Sequence, residues 1–155
     1  MILFTWILVV SSLQTEQIFD VFLSAFLPQG RCNYEQLSDY FDHKIKPRLK
    51  EGHLTNLVYD KEKLVGFAIF QKWEEHTYYL AEMAILPEYQ RKGIGKQLVF
   101  SIFEHDESAN KILLITEEKN QWSQSFYEKI GFKRSSFQHP NYPENFIGFE
   151  YYSER

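Results

Sequence analysis

The segment Gln90-Arg91-Lys92-Gly93-Ile94-Gly95-Lys96 has the residue types of an anion site. Gly93 and Gly95 allow a sharp turn and close approach of the backbone to a ligand, while Arg91, Lys92 and Lys96 supply positive charge. The run Ala84-Ile85-Leu86 before it reads as a buried strand, and the apolar period after it reads as a helix. A helix opening at such a turn presents N–H groups with no intrahelical acceptor, together with the positive end of its dipole. The expected ligand is a phosphate group. Two other glycine-rich phosphate motifs fail on the residues they depend on. The dinucleotide fingerprint needs a third glycine where Leu98 stands, and the P-loop needs glycine at Gln90 and Ser or Thr at Gln97. What remains is the pattern Q-x-x-G-x-G.

The elements that must hold this turn follow from periodicity. Met1–Val10 is apolar and reads as a buried strand, with a cleaved signal peptide as the alternative; it has no positive flank and is shorter than the ~20 residues a bilayer crossing needs. Ser11 and Gln14 have capping-box spacing, and Ile18, Phe22 and Phe26 recur at i+4, which predicts a helix ending at Leu27-Pro28-Gln29-Gly30. A second helix is predicted from Asn33, with Gln36 three residues on, and Pro47 is expected to kink or end it. Leu54–Tyr59, Leu64–Lys72 and Thr77–Leu86 read as three strands of an antiparallel meander. Gly93–Glu104 reads as a helix with Ile94, Leu98 and Ile102 on one stripe, followed by the apolar strand Lys111–Thr116. A helix between two strands makes the pair parallel. Asn120–Ile130 is a further helix stopped by Gly131, and Phe132–Phe137 and Phe146–Tyr152 are strands joined by the loop Gln138–Asn145. The fold class is α/β, a single domain over residues 1–155 with a mixed, mostly antiparallel sheet and helices on both faces.

Composition narrows the function. The 155 residues, 44% of them apolar, suit one sizeable core. A net charge of −4 with no basic tract argues against nucleic acid as a partner, and no segment reads as a membrane anchor. The lone Cys32 forms neither a disulfide within the chain nor a cysteine zinc site, which fits a cytoplasmic setting. The five histidines are at least ten residues apart, so no metal is expected.

In its order the chain runs strand, Q-x-x-G-x-G, helix, strand, then Asn120 followed by Phe126-Tyr127-Glu128-Lys129-Ile130-Gly131-Phe132. This order, from about Leu54 to Phe132, resembles the GNAT superfamily of acetyl-CoA-dependent N-acetyltransferases. The resemblance implies that the strands Thr77–Leu86 and Lys111–Thr116 splay apart to form a cofactor cleft. It implies acetyl-CoA as co-substrate, with backbone groups of Met83, Ala84 and Ile85 pairing with the pantetheine arm as an added strand. Gln90, Arg91, Lys92, Gly93, Ile94, Gly95 and Lys96 would form the pyrophosphate turn. Asn120 would hydrogen-bond the cofactor arm, and Tyr127 would protonate the departing thiolate. Ser123 and Phe126 stand where the family commonly has Ala and Leu.

The base and the acceptor are less determined. A branch of the family that acetylates ribosomal proteins carries a glutamate at the position of Ile115, which accepts no proton. Other branches place an acid on the strand Thr77–Leu86, where Glu82 is the only carboxylate; a solvated or paired strand-edge carboxylate is the alternative role for it. Tyr79, Tyr142 and Glu144 lie near strand ends and the last loop, where the resemblance would put an amine acceptor. The expected activity is acetyl transfer to a primary amine of a small molecule or peptide N-terminus. The alternative is a non-catalytic acyl-CoA-binding or protein-interaction module on the same fold, and a homodimer is compatible with either.

Overall fold

A computed structural model describes residues 1–154. They form two compact units: Met1–Gln71 with Ala81–Val99, and Lys72–Leu80 with the chain from Phe100 onward. The strands are β1 (Ile2–Ile7), β2 (Leu54–Asp60), β3 (Lys63–Glu74), β4 (Thr77–Ile85), β5 (Lys111–Glu117), β6 (Lys133–Ser135) and β7 (Phe146–Tyr152). The helices are α1 (Ser12–Phe26), α2 (Tyr34–Tyr40), α3 (Lys46–Lys50), α4 (Ile94–His105) and α5 (Gln121–Lys129). The strands belong to a seven-stranded sheet in the order β1-β2-β3-β4-β5-β7-β6. Four neighbouring pairs are antiparallel by register, and β4–β5 is parallel, as the intervening α4 requires. This is the mixed, mostly antiparallel α/β arrangement expected from the sequence.

In the first unit, both predicted capping boxes form. Ser11 Oγ accepts from Gln14 N–H at 3.1 Å while Ser11 N–H donates to Gln14 Oε1 at 3.0 Å, and Asn33 and Gln36 make the same exchange at 2.8 and 2.9 Å. Ile18, Val21 and Phe22 of α1 are buried, with Leu57, Val65, Phe67 and Ile69 of β2 and β3 also in the core. The chain does not break at Pro47. A π-helical turn, Phe41–Ile45, widens the helix just before it, and Pro47 lies in the first turn of α3. The first strand is shorter than expected and less buried. It lies at the sheet's end, leaving Leu3, Leu8 and Val9 exposed.

In the second unit, β4 and β5 pair from Thr77↔Lys111 to Tyr79↔Leu113, and β5 pairs along its length with β7. Phe100, Phe132 and Tyr151 pack ring against ring at 4.6–6.2 Å. The predicted strand Phe132–Phe137 is reduced to β6, three residues long. Ser135 Oγ accepts from Phe137 N–H at 3.0 Å, a local bond that turns the chain out of the ladder. Phe137 then passes so close to Gly148 that a Cβ there would sit 2.2 Å from the Phe137 carbonyl oxygen.

Candidate functional site

In the first unit, the glycine turn is fastened at both ends. Leu86 N–H donates to Val65 O at 2.9 Å, and the Gln90 amide donates to Ile85 O at 2.8 Å, tying the turn to the end of β4. Gln90 thus holds the turn rather than presenting its amide outward. Tyr89 donates to Asp60 Oδ2 at 2.5 Å, a bond that holds the Asp60 carboxyl below and the Tyr89 phenol above their ordinary ranges. Lys92 Nζ lies 5.5 Å from the Tyr89 ring centre. Arg91 and Gly93 both have positive φ, 62° and 84°, the left-handed turn that exposes successive amides. Gly93 O accepts the first helical bond, from Gln97 N–H, so the N–H groups of Ile94, Gly95 and Lys96 have no acceptor within α4. A Cβ on Gly93 would meet no atom within 4 Å, so the space over the turn is open. The turn has the geometry to hold a diphosphate through its backbone.

Met83 is half-buried and Ala84 and Ile85 are buried, directly ahead of this turn on β4. Glu82, one residue earlier, is partly buried, and its Oε1 accepts a short hydrogen bond from the Tyr40 hydroxyl at the end of α2. Burial pushes the Glu82 carboxyl up to about 7, while the Tyr40 bond and the Arg48 charge pull the other way. Arg48 on α3 also donates to Gln71 Oε1 on β3 at 3.1 Å. A carboxyl balanced near neutrality exchanges protons at physiological pH, which is the property a general base needs. Tyr40 and Arg48 were not legible as site residues. The capping box placed Tyr40 on a helix, but its contact with Glu82 spans 42 positions.

In the second unit, Asn120 and Tyr127 sit on α5. Asn120 caps the helix: its Oδ1 accepts from Ser123 N–H at 3.1 Å and its Nδ2 donates to Ser123 Oγ at 2.7 Å. Gln124 braces the preceding turn through Glu118 O at 2.8 Å and Glu117 O at 3.3 Å. Tyr127 is 9% exposed, with its ring against Phe126 and Phe132 at 5.1 and 5.4 Å. Ile115 is half-buried on β5 opposite Gly148 and brings no carboxylate. One residue on, the buried Thr116 hydroxyl has no hydrogen-bond partner among the described residues.

The family model for the acetyltransferase (GNAT) family matches residues 15–132. The chain belongs to the GNAT family. It is 32% identical over 102 residues to the [ribosomal protein bS18]-alanine N-acetyltransferase of Haemophilus influenzae, covering 64% of this chain and 68% of that one. It is 33% identical over 73 residues to the UPF0157 protein YqkA of Bacillus subtilis, of whose length the match spans 21%. Among solved structures, the PaiA N-acetyltransferase of Thermoplasma acidophilum in complex with coenzyme A superposes with a TM-score of 0.79 at 18% identity, over 97% of this chain and 98% of that one. That likeness establishes the GNAT fold.

Glu82, the glycine turn, Asn120 and Tyr127 fall inside the GNAT-matched span, whereas Tyr142 and Glu144 fall beyond it. Of the three residues expected near the acceptor, Tyr79 is 1% exposed and packed against Trp73, Phe137 and His139 at 5.0–5.9 Å, so its ring is core. Tyr78 is buried too, donating to Asp106 Oδ2 at 2.7 Å. Tyr142 is half-buried against His139 at 5.0 Å, and Glu144 is exposed. His139, which the sequence reading counted only among histidines too far apart to bind a metal, braces the loop: its Nδ1 accepts from Asn141 N–H at 3.1 Å.

The double bond pattern of Asn120 makes its helix-capping role measurable apart from any ligand. Asn120→Ala should lower stability by about 1 kcal/mol, the usual loss for an N-cap. Chemical denaturation without ligand checks it; an unchanged midpoint would refute the capping role.

Proposed function

We propose that the protein transfers acetyl from acetyl-CoA to a primary amine, and that its two units together make one N-acetyltransferase domain. The observation that carries this reading is the turn Arg91–Lys96, with two residues at positive φ, open space over Gly93 and three N–H groups without an intrahelical acceptor. In a GNAT chain this turn suits the pyrophosphate of acetyl-CoA. The pantetheine arm pairs with the backbone of Met83, Ala84 and Ile85, and Asn120 contributes through its remaining amide hydrogen. The splay of β4 from β5 belongs to the same proposal.

The reaction follows from placing a proton acceptor and a proton donor on the two bonds that change. The amine loses a proton to Glu82, and its nitrogen attacks the thioester carbonyl. Backbone N–H on β4 stabilises the developing oxyanion, and the carbon–sulfur bond then breaks as Tyr127 protonates the leaving sulfur. The acceptor class follows from proton supply. A lysine-like amine is neutral in roughly one molecule in a few thousand at pH 7, whereas an α-amino group is about 10% neutral. With Ile115 in place of a second carboxylate and Glu82 near 7, α-amines of peptides or small amines of low pKa are favoured. The relative acting on an alanine of ribosomal protein bS18 supports an amine acceptor. The exposed Glu144 and half-buried Tyr142 offer a cationic amine charge and a ring face, and the lone thiol of Cys32 suits a cytoplasmic setting.

Gly95→Glu places a carboxylate in the first turn of α4. Acetyl-CoA affinity measured by titration should fall at least tenfold, about 1.4 kcal/mol. Unchanged affinity would move the diphosphate elsewhere. Thiol release with a panel of amines then separates transfer from mere binding: a chain that binds acetyl-CoA and turns over no amine would be a binding module.

A further inference from the structure

The two ends of the sheet are unlike. At one end β6 is three residues long, and its Lys133 and Arg134 are exposed, the short and charged form that discourages further pairing. At the other end β1 is six residues, Ile-Leu-Phe-Thr-Trp-Ile, with no charge, proline or glycine. No charged side chain occurs before Glu16, and Leu3, Leu8, Val9 and Leu13 beside the strand are 55–86% exposed. An apolar strand at a sheet end, with no charged side chain, proline or register shift among its residues, is a template for one more strand.

The ladder shows which groups of β1 face outward. Lys61 N–H donates to Met1 O, and Ile2↔Asp60 begins the register, so Met1, Leu3, Thr5 and Ile7 turn their backbone groups toward β2. Asp60↔Lys63 closes the hairpin between β2 and β3, which independently turns Tyr59, the partner of Leu3, toward β1. By alternation, the backbone groups of Ile2 and Phe4 point away from the sheet.

We infer that β1 pairs antiparallel with β1 of a second copy, about a two-fold axis normal to the sheet that passes beside Phe4. A two-fold of this kind keeps each face of the sheet on the same side in both copies, so paired residues must have the same parity. Several same-parity registers use the outward-facing even positions, and the one that brings Ile2, Phe4 and Trp6 of both copies into the ladder makes Phe4 its own partner and places Ile2 opposite Trp6. On the other face Leu3 stands opposite Thr5. Every cross-strand pair is apolar or β-branched, and no like charges meet. That register is self-complementary, which is the condition for a closed two-fold interface. The active site proposed above is not invoked, so this inference stands or falls separately.

Sedimentation of the full chain across concentrations should show dimer, and Phe4→Lys or Phe4→Glu, each placing like charges on the axis, should weaken association at least tenfold. Mixing the two variants should restore a dimer. Where either charge unfolds the chain, cysteine pairing reads the register in a Cys32→Ser background. Paired residues of this kind lie about 5.5 Å apart at Cα, within disulfide reach. Phe4→Cys should therefore cross-link on oxidation, while Ile2→Cys should not, because its copy lies four residues along, roughly 13 Å away. A monomer at all concentrations, a dimer indifferent to charge at position 4, or equal cross-linking from both cysteines would overturn the inference.

Discussion

Tyr127→Phe should keep acetyl-CoA affinity and lower kcat by about a hundredfold or more. The ring of Tyr127 is packed edge-on against Phe126 and Phe132, contacts that phenylalanine preserves, so helix α5 and its cap stay in place. What the variant lacks is one O–H. A neutral phenol is a proton donor, and the departing thiolate is the group that needs a proton. Steady-state kinetics with calorimetric binding decide the matter: equal affinity with full kcat would remove Tyr127 from the chemistry, and a loss of affinity matching the loss of rate would make it a binding residue.

Glu82→Gln should remove both rate and pH dependence. With its carboxyl pushed up to about 7 by burial, Glu82 is mostly protonated at pH 6 and mostly ionised at pH 8. Wild-type kcat/KM should therefore climb through pH 7 toward a plateau set by the amine. The glutamine variant should lose that limb and about a hundredfold in rate, the low end of what a positioned base supplies. Stability gives an independent readout. A carboxyl raised on folding, here from about 4.5 to about 7, contributes stability that is complete below the lower value and is lost as pH rises past the upper one. Relative to wild type, Glu82→Gln should thus melt higher at pH 8 than at pH 5. A flat difference in melting temperature would show that the carboxyl is not raised, and an unchanged rate profile would show that it is not the base.

Local signals in the sequence proved readable wherever a few adjacent residues determine the outcome. Both capping boxes are exchanges between residues three apart, and the turn at Gly93 is announced by its own glycines and by the nearby Gln90 brace. The extent of β6 was not readable, because its end is decided by Ser135 and by the bare Cα of Gly148, a crossing of chain segments far apart in sequence. Pro47 signals an interruption but not its form: the α-helix ends at Tyr40 and a π-helical turn precedes the proline. In the candidate site, the order strand, Q-x-x-G-x-G, helix located Gly93 and Gly95, and the residue types identified Glu82 as the sole carboxylate of its strand. Its partner Tyr40, its neighbour Arg48 and the burial of Tyr79 depend on packing, which no spacing records.

The separation of 42 residues between Tyr40 and Glu82 bears on the order in which the chain acquires its parts during folding. The Gln90 brace to Ile85 spans five residues and the Asn120 cap three, so each closes a short loop and forms at small entropic cost. The Tyr40 contact requires α2 to meet a strand half a meander later, and contacts of such sequence distance form slowly. A nascent or partly refolded chain is therefore expected to form the Gln90 brace and the α5 cap before Glu82 has its hydrogen-bond donor. In the proposed mechanism the base is then the last part to be completed, and its arrival reports the long-range packing of the first unit.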